Sequence, residues 1–420
     1  MKSVCIVGLG YVGLPLALLS SKKGYAVTGI DLDENKIKKI NNKVDPISDE
    51  YVKNNISNTS LVATNDFSVI ENADIVIVCV PTPVKEFLPD LTPLTGACSY
   101  VSKHLKNKAL LIIESTINPG VCDDVLIPLI EKESNKKVNK DFFISHCPER
   151  INPGDTKWNV ENIPRVAGSS NESGLKMTVE FYSNIIDAPI KSMRSIKEAE
   201  ACKVVENSFR DVNIAFVNEL AMSFAKLGIN VKNVIDGAAT KPFAFMPHYP
   251  SVGVGGHCIP VDPYYLIEYA KSFGFNHEFL SMARAINNFM PEFTVEQLGD
   301  GLNELGLPIK GTRVCVLGLS YKSNVADDRE SPSYEIIRLL EEKGAIVTIY
   351  DPLILAKSTA KGLKEALKNQ DAVILTNGHD EFIKNLQQNL KSIKVFVDGK
   401  NIFDRADIES LGVVYRGIGT

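Results

Sequence analysis

The feature that most constrains the fold of this chain is a glycine-rich turn directly after its first apolar run. Residues 3–8 are largely apolar and lead into Gly-Leu-Gly-Tyr-Val-Gly at positions 8–13, and residues 14–22 then have helical spacing. A second strand is predicted over residues 25–30, and it ends at Asp31. A strand, a glycine turn, a helix and a second strand that ends in an acid are typical of a βαβ unit on a parallel sheet.

This glycine turn has the properties of a dinucleotide site. Gly8 permits the tight turn, Gly10 lets the backbone approach a pyrophosphate, and Gly13 lets helix and strand pack closely. The helix N-terminus offers N–H groups and a positive dipole end to phosphates. Asp31 follows at the expected spacing, where it would accept hydrogen bonds from ribose hydroxyls and repel a 2′-phosphate, which favours NAD over NADP. The alternative is a structural turn that binds nothing, and the strand, helix and acid together disfavour it.

The rest of the chain predicts an α/β fold with two Rossmann-like, doubly wound parallel sheets joined by a central all-helical region. Wholly apolar strands that alternate with helices indicate parallel sheets covered on both faces. Residues 199–227 have helical spacing without Pro or Gly, which predicts one long helix. The further strands are predicted at residues 74–80, 109–114, 142–145, 313–317, 346–350, 371–376 and 394–397. The predicted domains are residues 1–195, 196–300 and 301–420.

The predicted C-terminal domain carries a second turn of the same kind with fewer glycines. Its sequence at positions 318–323 is Gly-Leu-Ser-Tyr-Lys-Ser, which lacks the second and third glycines. Close approach of a pyrophosphate is therefore compromised, and we expect that this domain does not bind a dinucleotide in the same way. Tyr321 and Lys322 could instead contact another anionic ligand.

Composition excludes several other classes of protein. The chain has 420 residues, of which 44% are hydrophobic and 23% charged, and its net charge is −5. It therefore has no excess of positive charge that would favour binding to nucleic acid or to an anionic membrane. No apolar run approaches the roughly 20 residues of a membrane helix, and no signal peptide is visible, which favours a cytoplasmic location. The eight cysteines form no CxxC pair, so we expect neither a metal site nor a redox disulfide.

One cysteine lies in an unusual loop. Residues 251–263 read SVGVGGHCIPVDP, with glycines just before Cys258 and Asp262 four positions after it. A thiolate adds readily to an aldehyde, and the adduct can lose hydride to give a thioester that water hydrolyses. From these residues alone, a buried structural role for the Cys258 thiol is as good an interpretation as a catalytic one. A buried structural role is what we expect for the other seven cysteines. His257 is expected to fix the loop rather than act as a base.

Two donors on the predicted long helix share one face. Lys203 and Asn207 are four residues apart, and both are suited to holding a developing oxyanion. Arg210 follows along the helix and is a possible anion ligand. Without further context, a solvated lysine and an incidental asparagine are the simpler interpretation. A long helix between two lobes can also form a dimer interface, and a helix buried within one chain is the alternative.

These residues resemble those of the UDP-glucose/GDP-mannose dehydrogenase family, over essentially the whole chain. The matching motifs are GLGYVGLPLA (8–17), VPTP (80–83), ESTINPG (114–120), HCPERINPG (146–154), KVVENSFRDVNIAFVNE (203–219), GVGGHCIPVDPYYL (253–266) and GLSYKSNVADDRESP (318–332). The resemblance implies oxidation of C6 of a nucleotide sugar to a uronate, with two NAD per turnover. It also implies a homodimer or higher homo-oligomer formed through the central helix.

The resemblance assigns roles to individual residues. For catalysis it implies that Cys258 is the thioester nucleophile and that Lys203 and Asn207 stabilise the oxyanion. Asp262 would orient or activate water near the thioester. Thr116 and Glu149 would lie by the nicotinamide and C6, with Glu149 as a base acting through water. Lys203 is also a possible acid or base. For NAD it adds contacts from Tyr11, Val12, Lys36, Thr82, Thr116 and Arg329. For the nucleotide sugar it implies contacts from Arg150, Ile151, Lys203, Asn207, Arg210, Gly253, Tyr321, Lys322 and Arg416.

The identity of the sugar rests on a weaker resemblance. The sequence around Cys258 is similar to that of the family branch acting on UDP-N-acetylhexosamines. Residues 241–245 resemble the corresponding stretch of UDP-N-acetylglucosamine 6-dehydrogenases. Members that prefer UDP-N-acetylmannosamine tend to carry an arginine in this stretch, and residues 241–258 contain none. We therefore expect UDP-N-acetyl-D-glucosamine, with the mannosamine epimer as the alternative.

Two more distant alternatives remain. A two-electron dehydrogenase of the β-hydroxyacid type would use Lys203 and Asn207 without Cys258, but it leaves the third predicted domain unexplained. A non-catalytic sensor of NAD or nucleotide sugar is disfavoured because all three residues are present.

Overall fold

In this computed structural model, residues 2–85, 88–151, 157–256 and 258–420 are described. The chain divides into two units, Met1–Glu206 with Tyr264–Phe275, and Asn207–Pro263 with Asn276–Thr420. Two of the three boundaries fall inside helices, one of which is the long helix, at Ile196–Leu227. Its predicted range of 199–227 is confirmed apart from three residues at the start. The predicted division into three domains stays a prediction.

The first unit is built around a sheet of eight strands. The strands of this sheet are β1 (Ser3–Val7), β2 (Ala26–Ile30), β3 (Val62–Thr64), β4 (Ile75–Val78), β7 (Leu110–Ile113), β8 (Phe143–His146), β9 (Arg165–Ser169) and β10 (Ile190–Ser192). Two further strands, β5 (Val84–Lys85) and β6 (Leu88–Pro89), form a separate two-stranded sheet. Its helices are α1 (Gly13–Lys22), α2 (Glu34–Asn41), α3 (Glu50–Asn55), α4 (Thr92–His104), α5 (Ile127–Ser134) and α6 (Glu172–Ile185).

The strand order of this sheet is β10-β9-β8-β7-β4-β1-β2-β3. The chain moves outward from β1 in both directions, so the switch point that commonly holds a ligand in such sheets lies beside β1. The carboxyl ends of four neighbouring strands are aligned, because Val7, Val78, Ile113 and His146 are successive register partners. The loops that follow these strands therefore leave the sheet along the same edge.

The prediction of parallel strands is confirmed for β1, β2, β3, β4, β7 and β8. It is wrong for β9 and β10, which run in the opposite direction to these six strands. The strand β9 runs antiparallel to β8, with Ser145 opposite Ser169. An antiparallel strand at the margin of a parallel sheet is a common variation. This strand was not predicted from the sequence because it begins with Arg165, a charged residue whose side chain is buried in ion pairs with Glu114 and Glu149.

The second unit carries most of the helices that follow α7, the long helix at Ile196–Leu227, and a second sheet, whereas Tyr264–Phe275 belongs to the first unit. Its strands are β11 (Arg313–Leu317), β12 (Ile346–Tyr350), β13 (Ala372–Leu375), β14 (Val395–Asp398) and β15 (Val414–Gly417), all parallel, in the order β12-β11-β13-β14-β15. The remaining helices of the chain are α8 (Val231–Ala239), α9 (Asp262–Lys271), α10 (Glu278–Glu304), α11 (Pro332–Glu342), α12 (Leu363–Ala366), α13 (Asp380–Asn385) and α14 (Arg405–Glu409). Short 3-10 or π segments occur at Ile56–Asn58, Phe67–Asn72, Cys122–Leu126, Leu355–Lys357 and Gln387–Asn389.

Apolar side chains cover both faces of each sheet, as the predicted doubly wound fold requires. The predicted strands are confirmed to within two residues at each end, whereas β3, β5, β6, β9, β10 and β15 were not predicted. Six of the seven other cysteines are buried, as expected, but Cys202 on α7 is only half-buried. Among the described residues, no helix is both long and apolar enough to cross a membrane.

Candidate functional site

The three glycines of the first turn differ in what surrounds them. A Cβ atom on Gly8, which has φ of +94°, would lie 2.7 Å from the Cys79 carbonyl oxygen, and one on Gly13 would lie 1.9 Å from the Gly8 carbonyl oxygen. Glycine is therefore required by the fold at these two positions. A Cβ on Gly10 would meet nothing within 4 Å. Packing does not explain that glycine, whereas a ligand lying on the turn would.

The start of α1 is arranged to accept an anion. Val12 caps the helix without a side-chain hydrogen bond, and the first turn contains no acid. An unneutralised helix N-terminus favours negative charge. Tyr11, which precedes Val12, is 43% exposed, so its side chain borders solvent beside the turn.

Asp31 links the end of β2 to the glycine turn. Its carboxylate accepts hydrogen bonds from the Leu9 N–H (2.9 Å), the Asp33 N–H (3.0 Å) and the Lys36 ammonium (2.8 Å). Burial alone would raise the pKa of Asp31, but these hydrogen bonds outweigh it and the pKa is lowered. A carboxylate has about four lone-pair sites, so capacity remains for one further donor such as a ribose hydroxyl. The predicted pair of Asp31 and Lys36 is thus brought together beside the turn.

Thr82 and Thr116 lie on neighbouring loops at the same edge of the sheet. The Thr82 hydroxyl donates a 2.7 Å hydrogen bond to the Thr116 carbonyl oxygen. The Thr82 carbonyl in turn accepts a 2.6 Å bond from Tyr265 of α9. Two predicted NAD contacts, Thr82 and Thr116, are therefore held together by a hydrogen bond at this edge of the sheet.

Glu149 lies on the next loop along this edge and is held by a buried arginine. Its Oε2 accepts a 3.0 Å hydrogen bond from Arg165, and its Oε1 accepts one from the Arg150 N–H (2.6 Å) and one from the Ile151 N–H (2.5 Å). Arg165 also donates to Glu114 at 2.9 Å, and its side chain is fully buried. The Glu149 carboxylate is therefore fixed in orientation.

Glu114 completes this cluster with Tyr182, which donates a hydrogen bond to it. Burial raises the pKa of Glu114 to about 7, although Arg165 acts in the opposite direction. Arg165, Glu114 and Tyr182 were not assigned roles from the sequence. The one available signal was a charged residue, Arg165, immediately before the apolar pair Val166 and Ala167.

Arg150, predicted to contact the nucleotide sugar, is engaged within the first unit. Its guanidinium donates to both carboxylate oxygens of Glu206 (3.2 and 2.6 Å) and to the Pro164 carbonyl oxygen (2.8 Å). Ile151 is half-buried beside it. Three of the five guanidinium N–H groups are used in this way, so two remain for a ligand. Residues 152–154 of the same motif lie outside the described residues.

In the second unit, Cys258 lies in the turn that leads into α9. The Asp262 N–H donates to the Cys258 carbonyl oxygen at 2.8 Å, and Asn207 donates from its side-chain amide to the Asp262 carboxylate at 2.5 Å. Asp262 and Asn207 are both buried, whereas Cys258 is half-buried. Three predicted catalytic residues are thus joined by hydrogen bonds. His257 lies outside the described residues.

Lys203 lies one helical turn before Asn207 on α7, in the part of the helix that belongs to the first unit. It is 9% exposed, so it is not the solvated surface lysine that the sequence left open. Arg210, by contrast, is exposed. Lys203 and Asn207 are thus both buried residues of α7, and Arg210 is not.

The glycines before Cys258 are packed against the loop after β11. A Cβ on Gly255 would lie 2.7 Å from the Tyr321 Cβ, and one on Gly256 would lie 2.9 Å from the Tyr321 ring. The Gly256 N–H donates a 3.0 Å hydrogen bond to the Arg329 carbonyl oxygen. Gly253 has φ of +132°, and a Cβ there would lie 2.9 Å from the Pro332 Cβ. The cysteine loop and the predicted anion-binding loop are therefore in direct contact.

A buried polar chain also holds the segment before the cysteine loop. Asp211 on α7 accepts hydrogen bonds from Arg284 (2.5 Å) and Asn287 (2.8 Å) of α10. Asn287 accepts from Asn218 (2.9 Å), and Asn218 accepts from the Ser251 N–H (3.0 Å). These residues were not singled out from the sequence, because only the packing of α7 against α10 brings them together.

The remaining predicted ligand contacts lie in the second unit. Tyr321 and Lys322 are half-buried after β11, and Arg329 is bound to Asp327 (2.6 Å). Arg416 on β15 forms an ion pair with Glu304 and lines a cleft of about 480 Å³ beside the end of α7.

Lys400 was not predicted as a ligand contact. It follows β14 at the same edge of the sheet as the loop that contains Tyr321, and no described residue accepts a hydrogen bond from its ammonium. Burial lowers the pKa of Lys400, against the opposing effect of Asp398. A cation directly after a strand at this edge was the signal that could have identified it. No group of three or more His, Cys, Asp or Glu side chains that could hold a metal occurs among the described residues.

Comparison with known families gives three matches along the chain. They are to the NAD binding domain, the central domain and the UDP binding domain of the UDP-glucose/GDP-mannose dehydrogenase family, over residues 2–186, 197–289 and 315–405 respectively.

Individual relatives match over nearly the full length. Protein CapL of Staphylococcus aureus is 37% identical over 401 residues, which cover 94% of this chain and 93% of CapL. The UDP-N-acetyl-D-glucosamine 6-dehydrogenase of Pseudomonas aeruginosa is 36% identical over 412 residues, 96% of this chain and 97% of that protein. The solved structure of a UDP-D-ManNAc dehydrogenase from Pyrococcus horikoshii superposes with a TM-score of 0.93 at 33% identity, covering 100% and 99% of the two chains.

Proposed function

This chain belongs to the UDP-glucose/GDP-mannose dehydrogenase family, and on that premise we propose that it oxidises C6 of a UDP-N-acetylhexosamine to the uronate with NAD. The reaction removes four electrons and passes through a thioester on Cys258. The observation that carries the proposal is the hydrogen-bonded set of Cys258, Asp262 and Asn207, with Lys203 buried one turn away on the same helix. The uronate would serve as a precursor for a surface polysaccharide or another glycan.

The residues of the first unit fit NAD. Gly10 leaves open space on the turn, the start of α1 has no acid, and Asp31 retains capacity for a ribose hydroxyl. When bound, NAD accepts one hydride, so the four-electron reaction consumes two molecules per sugar. The proposed contacts are Gly8, Gly10, Tyr11, Val12, Gly13, Asp31, Lys36, Thr82, Thr116 and Arg329.

The cysteine set accounts for the second half of the oxidation. The Cys258 thiolate would add to the C6 aldehyde, forming a C–S bond, and the oxyanion so formed would be stabilised by Lys203 and Asn207. Loss of hydride from C6 then gives the thioester. Asp262 would orient water for attack on the thioester carbon, which breaks the C–S bond and releases the carboxylate and the thiol. The 2.5 Å bond between Asn207 and Asp262 supports a shared site.

Glu149 and Thr116 are proposed to act beside C6. A carboxylate held by Arg165 and by two backbone N–H groups is poised to orient a water molecule rather than to move. We assign Glu149 the role of a base acting through that water. Lys203 remains a second acid or base at the same carbon.

The UDP moiety is proposed to bind largely through the second unit. The match of residues 315–405 to a UDP binding domain supports this assignment. The proposed contacts to the nucleotide sugar are Arg150, Ile151, Lys203, Asn207, Arg210, Gly253, Tyr321, Lys322 and Arg416. Lys400 joins them, because a half-buried ammonium at this edge of the sheet suits a diphosphate.

We propose UDP-N-acetyl-D-glucosamine as the sugar. The Pseudomonas aeruginosa relative carries that name, and the absence of arginine from residues 241–258 points the same way. The likeness to the Pyrococcus horikoshii structure keeps UDP-N-acetyl-D-mannosamine as the alternative.

We further propose that the chain is cytoplasmic and assembles into a homodimer or higher homo-oligomer through α7. Val205, Phe209 and Phe216 are apolar residues of this helix that are about half exposed, which supports its use as an interface.

The test is NAD reduction measured side by side with UDP-N-acetylglucosamine, UDP-N-acetylmannosamine, UDP-N-acetylgalactosamine and UDP-glucose. We expect the highest kcat/KM with UDP-N-acetylglucosamine. A preference for the mannosamine epimer would select the alternative sugar. If none of the four sugars produced NADH, the proposal would be wrong.

A further inference from the structure

Each sheet carries an acid directly after its second strand, and the two carboxylates are used differently. Asp31 accepts hydrogen bonds from three donors, whereas Asp351 is fully buried and accepts from five. The donors to Asp351 are the N–H groups of Leu319 (2.7 Å), Ser320 (2.8 Å) and Leu353 (2.8 Å), the Ser320 hydroxyl (2.9 Å) and the His379 ring (3.2 Å). Four of these donors meet Oδ2 and one meets Oδ1. Because the carboxylate is also fully buried, Asp351 is not open to a ribose as Asp31 is.

His379 connects this carboxylate to the other end of the loop after β11. Its Nδ1 accepts a 3.0 Å hydrogen bond from the Asn324 N–H, so the ring proton must be on Nε2, which donates to Asp351. His379 is 1% exposed. One imidazole therefore joins the beginning of the loop, through Asp351, to its end at Asn324.

Further side chains after β13 hold the same loop. Asn377 donates to the Ser320 carbonyl oxygen (2.8 Å) and accepts from the Ser323 hydroxyl (2.7 Å). The Asn324 side chain donates to Asp380 at 2.8 Å. The backbone is thus fixed on both sides of positions 321 and 322, the two half-buried residues whose side chains are proposed to bind the nucleotide.

We propose that His379 is a positioning residue for a nucleoside diphosphate, and that it pre-organises the loop at residues 318–324 so that Tyr321 and Lys322 meet the ligand. The inference rests on the proposed function, which assigns these two side chains to the UDP-sugar. A loop that must be ordered when ligand arrives binds more weakly than one ordered beforehand. His379 contributes that order without touching the ligand.

Three variants of His379 distinguish the effect of its hydrogen bond to Asp351 from that of its hydrogen bond to Asn324. His379→Gln keeps an amide donor towards Asp351, His379→Asn keeps an acceptor towards Asn324, and His379→Ala removes both. The probe is UDP alone, titrated calorimetrically into the full chain, together with KM and kcat for the UDP-sugar and KM for NAD. The matched control is Phe396→Leu, which changes a fully buried core residue of the same sheet without touching the loop.

We expect His379→Ala to raise the Kd for UDP and the KM for the UDP-sugar about tenfold, with smaller increases in the Gln and Asn variants. The kcat and the KM for NAD should stay within about twofold of wild type, since the first unit is unchanged. Phe396→Leu should lower Tm and leave the Kd for UDP unchanged.

A wild-type Kd in all three His379 variants would overturn the inference, as would an equal weakening in Phe396→Leu. If the wild-type chain itself failed to bind UDP, the proposed function would fail first and the inference with it. If the wild-type chain bound UDP and the His379 variants were unaffected, the inference alone would fail.

Discussion

Asn207 donates a hydrogen bond of 2.5 Å from its side-chain amide to the carboxylate of Asp262, and both residues are buried. Asp262 is the first residue of α9, and its own N–H donates to the Cys258 carbonyl oxygen at 2.8 Å. The bond therefore ties a donor on the long helix α7 to the turn that carries the thiol. It is the contact that joins the two elements in the proposed catalytic site.

Replacing this donor should slow the chemistry. We expect Asn207→Ala to lower kcat by about a hundredfold, because one oxyanion donor is lost and Asp262 is released from its fixed orientation. Asn213→Ala removes an asparagine of the same helix whose side chain donates, among the described residues, to the Phe209 carbonyl oxygen, and it should leave kcat unchanged. Steady-state kinetics with saturating NAD checks the difference. Equal kcat values for Asn207→Ala and wild type would refute this role.

The glycine turn offers a comparison of two alanine substitutions. Gly13→Ala should destabilise the first unit, because the Cβ would lie 1.9 Å from the Gly8 carbonyl oxygen. Gly10→Ala should leave Tm unchanged or slightly raised, since that Cβ meets nothing within 4 Å. It should nevertheless weaken NAD binding about tenfold or more by blocking approach to the turn. Thermal unfolding and NAD titration test the pair, and full NAD affinity in Gly10→Ala would show that nothing lies on the turn.

Asp31 should set the preference for NAD over NADP. Its carboxylate lies beside the turn with one lone-pair site to spare, and its negative charge would repel a 2′-phosphate. Asp31→Asn should lower kcat/KM for NAD roughly tenfold and raise it for NADP. An exposed acid of the same unit, Asp187, provides the control substitution Asp187→Asn. An unchanged ratio of the two cofactors would contradict the assignment.

The buried Glu114 should make stability depend on pH. Burial raises its pKa from 4.5 to about 7, so between these values the folded chain holds a proton that the unfolded chain has released. The folded state then binds more protons, and the free energy of unfolding must fall as pH rises from about 4.5 to about 7. Glu114→Gln should lose this component. Denaturant unfolding across that range measures it, and identical pH profiles for the two proteins would show that Glu114 titrates normally.

The fold could be predicted largely because its signals are local. The glycine turn, Asp31 and the first two apolar strands all lie within residues 3–31, and the long helix shows its own periodicity. The antiparallel strand β9 could not be predicted, since Arg165 is stabilised in it by Glu114, a residue 51 positions away in the chain. Charges that pair over such distances leave no periodic pattern.

The site shows the same division. Lys203, Asn207 and Asp262 were identified through spacing and resemblance, and the structure joins Asn207 to Asp262. The polar chain from Asp211 to Ser251 was missed, because its members are spread over α7, α10 and a loop. Arg416 was proposed from the resemblance alone, and its ion pair with Glu304 was not visible in the sequence.

The nucleophile can be tested by substitution before the stoichiometry is measured. Cys258→Ser should abolish formation of the uronate, with a loss of about a thousandfold or more, because a serine hydroxyl is a poor nucleophile without a base to activate it. Cys202→Ser, which changes the other half-buried cysteine, should retain full activity. Uronate formation at the wild-type rate by Cys258→Ser would remove the cysteine from the mechanism.

The number of NADH molecules formed per UDP-N-acetyl-D-glucosamine consumed tests the central claim most directly. The measurement combines absorbance of NADH with chromatographic loss of the sugar nucleotide under excess NAD. Oxidation of an alcohol to an acid through a thioester on Cys258 predicts two NADH per sugar. A value of one, with an aldehyde as the product, would contradict it.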